Sequence, residues 1–145
     1  MEILTQILDN TTLLAAILAW CIAQAIKFCL TLLGKKELSL GRLYGAGGMP
    51  SSHSALVMAM STCIGRIYGF DSPIFAISCL VSLVVMYDAA GVRRATGIHA
   101  RILNELLGQR DSTQEEHLKE MLGHTPLQVI CGAVLGIVVG YFFST

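Results

Sequence analysis

The chain has 145 residues, 54% of them hydrophobic and only 14% charged, with ten Lys/Arg balanced by ten Asp/Glu. A water-soluble domain of this length carries about 25% charged residues to solvate its surface, so much of this surface faces something other than water. Zero formal net charge excludes the basic excess of a nucleic-acid binder, and the length fits one domain, residues 1–145.

A membrane-crossing helix needs about 20 mostly apolar residues. The first such run extends from Thr11 to about Leu33, interrupted by Gln24 and Lys27. Met1-Glu2-Ile3 offers no basic n-region and no small-residue cleavage pattern follows, so no cleavable signal peptide is expected. Gly41, Gly45, Gly47, Gly48 and Pro50 then punctuate a loop that also holds Lys35, Lys36 and Arg42.

The second run, Ser51 to about Tyr68, opens on Gly47-Gly48-Met49-Pro50-Ser51-Ser52-His53-Ser54-Ala55. This is a glycine loop, a proline suited to a first helical turn, and a helix start dressed with hydroxyls. Free N–H groups and the positive dipole end make such a start an anion site, with His53 in place to donate a proton. A serine-capped membrane helix with an interfacial histidine accounts for the same residues equally well.

After the turn Gly69-Phe70-Asp71-Ser72-Pro73, a third run extends from Pro73 to about Val92, with Asp88 in its last turns. Residues 93–108 still read as helix, but a polar one, on which Arg93, Gly97, Ala100 and Asn104 share a face. Guanidinium forks match phosphate oxygens, which makes Arg93 and Arg94 anion candidates. A salt bridge from Asp88 to an arginine, closing the helix end beside a snorkelling arginine, is the competing account. Gln109 to Lys119 is a short charged stretch, expected as a solvated loop or helical turn.

Leu122-Gly123-His124-Thr125-Pro126-Leu127-Gln128-Val129 precedes the last run, Pro126–Phe143, which contains no charge. A nucleophilic histidine needs an acceptor to fix its tautomer, and Gln128, one turn beyond His124, offers its amide oxygen. A capping or interfacial histidine is the alternative. Gly132, Gly136 and Gly140 form a doubled GxxxG face that admits another helix closely, within the chain or in a homo-oligomer, with internal packing the better fit to so small a chain.

The runs are long and lack period-2 alternation, so the fold class is all-α: a polytopic membrane bundle of about four spans plus a polar interfacial helix. Cys21, Cys29, Cys63, Cys79 and Cys131 each lie in an apolar run, odd in number and without a CxxC pair, and read as small apolar residues. With four spans, residues 34–50 and 93–125 share one side and carry Lys35, Lys36, Arg42, Arg93, Arg94, Arg101, Arg110 and Lys119. Positive-inside bias puts that side in the cytoplasm, with both termini outside, in the plasma (inner) membrane. His53, His99 and His124 collect there, and ionisable residues at a membrane boundary are functional candidates.

Three blocks, GGMPSSHSA (47–55), YDAAGVRRATG with the later LN (87–104) and LGHTPLQV (122–129), occur in that order. Together they resemble the divergent branch of the type 2 phosphatidic acid phosphatase and vanadium haloperoxidase-related superfamily, and with the first helix they cover nearly the whole chain. The resemblance implies His53 as general acid, Ser51 and Ser52 as phosphate donors, and His124 as a nucleophile that forms a phosphohistidine. Gln128 stands where the superfamily's orienting aspartate belongs. Lys35 and Arg42 sit like the phosphate-gripping first motif, although Leu43 follows where proline is expected, and Lys27 is a rival for that lysine. Ser52 replaces a glycine of PSGH. The third-motif arginine falls at Leu118, so Arg93 or Arg94 would have to substitute, with Asp88 and Asn104 completing the substrate-binding set.

The implied activity is metal-independent hydrolysis of a membrane lipid phosphate or diphosphate at the membrane face, without a cofactor, because arginines would stabilise the charge. The alternative is a non-catalytic phospholipid-binding or scaffold protein that retains the anion pocket, a reading favoured by the missing aspartate and arginine. A small carrier or channel assembled through the glycine face is a third reading, against which stands the scarcity of intramembrane charges besides Lys27 and Asp88.

Overall fold

The computed structural model describes residues 1–33, 48–108 and 123–144, and every element among them is an α-helix. In chain order these are α1 (Glu2–Leu8), α2 (Thr11–Leu33), α3 (Ser52–Tyr68), α4 (Pro73–Ala90), α5 (Val92–Gly108) and α6 (Pro126–Phe143). Their starts are set by short polar side chains that accept the first orphan N–H groups. Asn10 Oδ1 accepts from Leu13 N–H at 3.0 Å, and Ser72 Oγ from Phe75 N–H at 3.3 Å. Pro73 and Pro126 occupy first-turn positions, where the missing donor is no loss. Pro50 does not: it precedes the N-cap Ser51 and lies outside α3, a correction to its expected first-turn place.

Three helical stretches are long and apolar enough to cross a membrane: Thr11–Leu33, Pro73–Leu106 and Pro126–Phe143. The second joins α4 to α5 across Gly91, whose N–H donates to Tyr87 and whose carbonyl accepts from Ala95 N–H at 2.9 Å. Its 34 residues extend about 51 Å, well past the ~30 Å hydrocarbon core. Part of α5, which carries Arg94, His99, Arg101 and Glu105, must therefore lie beyond that core or along its boundary. The expected fourth span, α3, has 17 residues, the lower limit for a crossing. Its side chains explain its composition: it is enclosed by α2, α4 and α6, so it needs small and hydroxyl residues rather than a lipid-facing apolar surface.

The core is made by closeness rather than by bulk. Ala19 and Ala23 of α2 and Ala55 and Ala59 of α3 are fully buried against one another, with Leu135 and Val139 of α6 packed on them. The two helices run antiparallel, Lys27 lying level with Ser52. A hydroxyl ladder joins α3 to the antiparallel α4, where Ser82 Oγ donates to the Val57 carbonyl at 3.1 Å and lies 2.7 Å from Ser61 Oγ. Buried hydroxyls suit a helix pair in an apolar medium, where each donor needs a partner.

The glycine face of α6 meets α3 of the same chain. Gly132, Gly136 and Gly140 lie against Ser51, Ala55 and Ala59 in turn, so α3 and α6 run parallel. That internal contact covers the face that a homo-oligomer would have used. A Cβ at Gly136 would collide with the Ala55 carbonyl oxygen, backbone that cannot swing aside. Gly136→Ala is therefore expected to cost about 1–3 kcal/mol and lower the thermal midpoint of the detergent-purified protein. Alanine's better helix propensity alone would raise it, so an unchanged or higher midpoint would contradict this packing.

Candidate functional site

The helix directions gather the last turns of α2 and α4 and the first turns of α3 and α6 at one end of the bundle. The starts of α3 and α6 are joined directly, Ser51 N–H donating to the Gln128 carbonyl at 2.9 Å. Two parallel helices thus bring their positive dipole ends side by side. At α3, the N–H groups of Ser52 and His53 lie in the first turn, ahead of the intrahelical ladder, and suit an anion.

His124 sits two residues before α6, after Gly123, whose φ of +104° only glycine adopts without strain. Its N–H donates to the Ala89 carbonyl at 2.9 Å, one of the orphan acceptors in the last turn of α4. Its side chain is 1% exposed, and Nδ1 lies 3.3 Å from Gln128 Oε1. The same oxygen accepts from Thr125 N–H at 3.0 Å, while Thr125 Oγ1 accepts from Gln128 N–H, a complete capping box. An oxygen that already accepts from a backbone amide must accept from Nδ1 as well, so Nδ1 carries the ring proton and Nε2 the lone pair. Nε2 is buried and has no hydrogen-bond partner among the described residues.

The half-buried His53 ring stands edge-on to His124, with centroids 6.4 Å apart and planes at 61°. Lys27 reaches over from α2, its Nζ donating to Ser52 Oγ at 3.1 Å. Two imidazoles, an ammonium and two helix starts therefore converge on one small volume. Among the described residues no group of three or more His, Cys, Asp or Glu is placed to hold a metal ion.

Burial holds the His124 imidazole below the usual histidine pKa; the neighbouring Lys27 and His53 charges act the same way, opposed by the contact with Gln128. The folded protein then binds fewer protons at this group than the unfolded chain, so stability is greatest above ~6.5 and falls as pH drops through the folded pKa. His124→Gln is expected to flatten that acid limb in midpoint-versus-pH measurements. A wild-type limb that persists unchanged in the variant would assign it to other groups.

The sequence candidates are distributed unevenly. Lys27, Ser51, Ser52, His53, His124 and Gln128 come together. Asp88 is half-buried beside Ala89, whose carbonyl holds His124. Gly97 and Ala100 are buried and Asn104 half-buried on one stripe of α5, whereas Arg94 is exposed on that helix and is not drawn into the buried cluster. Lys35, Arg42, Leu118 and the stretch Gln109–Lys119 lie outside the described residues, as does the Arg93 side chain.

The two serines differ. Ser51 is fully buried and its Oγ accepts from both Ser54 N–H and Ser54 Oγ–H, so it builds the turn; Ser52 is the hydroxyl that meets Lys27. The site also uses Ser54, Thr125 and the Ala89 carbonyl, which are not among the sequence candidates. Only Thr125 had a sequence signal, the Thr-x-x-Gln spacing of a capping box.

Residues 48–55 and 123–129, from two of the three blocks that carry the resemblance, meet here, and residues 8–139 match the Divergent PAP2 family. The chain belongs to that family. It is also 35% identical to the uncharacterized membrane protein YuiD of Bacillus subtilis (strain 168), over 95% of this chain and 99% of that protein. No solved structure matches the chain. As a Divergent PAP2 protein with three apolar helices of spanning length, it is an integral membrane protein with a PAP2-like sequence and a helical bundle fold. At His124 Nδ1 the partner is the neutral amide oxygen of Gln128.

Proposed function

We propose that this Divergent PAP2 protein hydrolyses a lipid phosphate at the membrane face, with His124 as nucleophile and His53 as general acid. The observation that supports this most is the His124 ring itself: tautomer held by Gln128, lone pair at Nε2, and that atom buried without a partner 6.4 Å, ring to ring, from His53. An orphaned buried nitrogen costs free energy unless a ligand uses it. The ring separation is about twice the ~3–3.5 Å near-attack distance, so one phosphoryl group between the rings is within reach of both.

In the first step Nε2 bonds to phosphorus as the P–O bond to the lipid breaks, and protonated His53 gives its proton to the leaving oxygen. In the second, water attacks the phosphohistidine, His53 takes back a proton, and the N–P bond breaks to release phosphate. Lys27, Ser52 Oγ and the helix-start N–H groups balance the phosphoryl charge throughout. Arg93, Arg94, Lys35 and Arg42 remain further candidates for that role from the sequence.

One observation favours the non-catalytic reading, binding or presenting a phospholipid: Gln128 carries no charge to stabilise a His124 imidazolium. Phosphate release separates the two. Purified protein in mixed micelles is expected to release phosphate from at least one of phosphatidic acid, phosphatidylglycerol phosphate and a polyprenyl diphosphate, and His53→Ala to slow it about 10²–10⁴-fold. Lipid binding without release from any of them would select the binding role.

A further inference from the structure

A groove of about 320 Å³ lies between α2 and α3, away from the histidines. On α3 it is lined by Leu56, Met60, Ile64 and Tyr68, each four residues from the next, and on α2 by Leu13 and Ile17. The start of α4 also contributes to its wall. These are the first turns of α2 and α4 and the later turns of α3. The histidine cluster uses the opposite ends of the same three helices, so the groove belongs to the other half of the bundle.

Its dimensions select what fits. From Leu56 to Tyr68 it runs about 18 Å along α3, close to the ~15 Å that one leaflet contributes to the hydrocarbon core. Spread over that length, its volume is a slot about 4 Å wide, whereas a helix with side chains is about 10–12 Å across. A helix of a second copy is too thick to enter. A single hydrocarbon chain, about one carbon–carbon contact distance in width, touches both walls at once and recovers the dispersion contacts that a gap would forfeit.

The end of the groove at the start of α2 is polar. Asn10 and Thr12 lie there, with Tyr68 level with them on the antiparallel α3. Asn10 Oδ1 already accepts from Leu13 N–H, so the amide group left to meet a ligand is the NH₂, a donor. Tyrosine at the end of a span places its ring in the apolar edge and its hydroxyl at headgroup level. The groove therefore joins an apolar slot to donors at its mouth, and among the described residues no charged side chain lines it.

We propose that this groove is a second lipid site, in the leaflet opposite the histidines, that holds one acyl chain of a glycerolipid with an ester carbonyl accepting at Asn10. With no charge in its lining, it selects by chain and carbonyl rather than by headgroup phosphate. It does not rest on the phosphate chemistry proposed above, and a lipid bound there is not a substrate.

Trp20 is the chain's only tryptophan and lies one turn beyond Ala16 and Ile17 of the groove, on the same face of α2. Its fluorescence in the full-length detergent-purified protein is titrated with phosphatidylcholine brominated on its acyl chains. Quenching is expected to saturate. Ile17→Phe, which obstructs the slot at a position 46% exposed, should raise the half-saturating lipid fraction about tenfold, the equivalent of about two methylenes of lost contact. Leu13→Phe should do the same and stands in if the first variant does not fold. Ile77→Phe, on the outer face of α4 and 62% exposed, should leave the curve unchanged, as should His124→Ala. The ether-linked brominated analogue, which lacks the carbonyls, should bind about fivefold more weakly. Quenching that rises in proportion to lipid without saturating, or that both groove variants leave unaltered, would overturn the proposal. Equal binding of the ester and the ether would overturn the role of Asn10, and weakening by Ile77→Phe as large as by Ile17→Phe would mean that the lipid merely surrounds the bundle.

Discussion

His124→Ala is expected to abolish phosphate release, a fall of about a thousandfold or more, while lipid affinity changes little. In the proposed reaction the ring supplies the atom that bonds to phosphorus, so its loss would remove the reaction path rather than weaken a contact. Its fold contribution is carried mainly by the main chain: the N–H that donates to the Ala89 carbonyl remains in the alanine variant. The variant should therefore stay folded and bind lipid phosphate through Lys27, Ser52 and the start of α3. Release kinetics and equilibrium binding measured on the same preparation check the pair of expectations. Retained release would remove His124 from the nucleophile role. Lost release with lost binding would make the ring a part of the anion pocket instead.

Gln128→Glu is expected to act in the opposite direction. Glutamate keeps the length of glutamine, so one carboxylate oxygen can still accept from Thr125 N–H and His124 Nδ1–H. It also adds the charge that stabilises an imidazolium. A charge-assisted hydrogen bond is worth roughly 1–1.5 kcal/mol more than a neutral one, which corresponds to about tenfold in the rate of phosphohistidine formation. The same charge favours protonation of His124, so its titration should move up and the acid limb of activity move with it. Rate and pH profile measured together make the check: a faster enzyme with an upward-shifted acid limb fits a positioning role for residue 128. A slower enzyme with an unshifted profile would mean that Gln128 serves only the helix cap.

Much of this architecture is legible in the sequence because membrane helices announce themselves by length and because several contacts are local. Thr11–Leu33 and Pro126–Phe143 follow directly from apolar length, and the His124–Gln128 pair from one-turn spacing. The all-α bundle has the same origin. Pairings between distant segments are less legible. Gly132, Gly136 and Gly140 signal a close approach, but a glycine face does not name its partner, and the complement on α3 is three backbone carbonyls.

Backbone groups carry no side-chain signal, which is why the Ala89 carbonyl, which anchors His124, could not be foreseen. Ser51 looks like a ligand hydroxyl in sequence but is consumed by the turn, because Ser54 happens to point both of its donors at it. Gln24 reads only as a break in an apolar run until α2 and α3 are packed and its oxygen is found buried. α3 illustrates the same limit: its serines and alanines make sense only once three helices surround it.

The central claim is that His124 takes the phosphoryl group. The most direct measurement is to mix purified protein with a labelled lipid phosphate, quench in alkali, where a phosphohistidine persists, and map the label by peptide. Label is expected on His124, absent from His124→Ala and accumulating in His53→Ala if dephosphorylation is slowed more than transfer. Phosphate release without any label on His124, or label that survives His124→Ala, would contradict it.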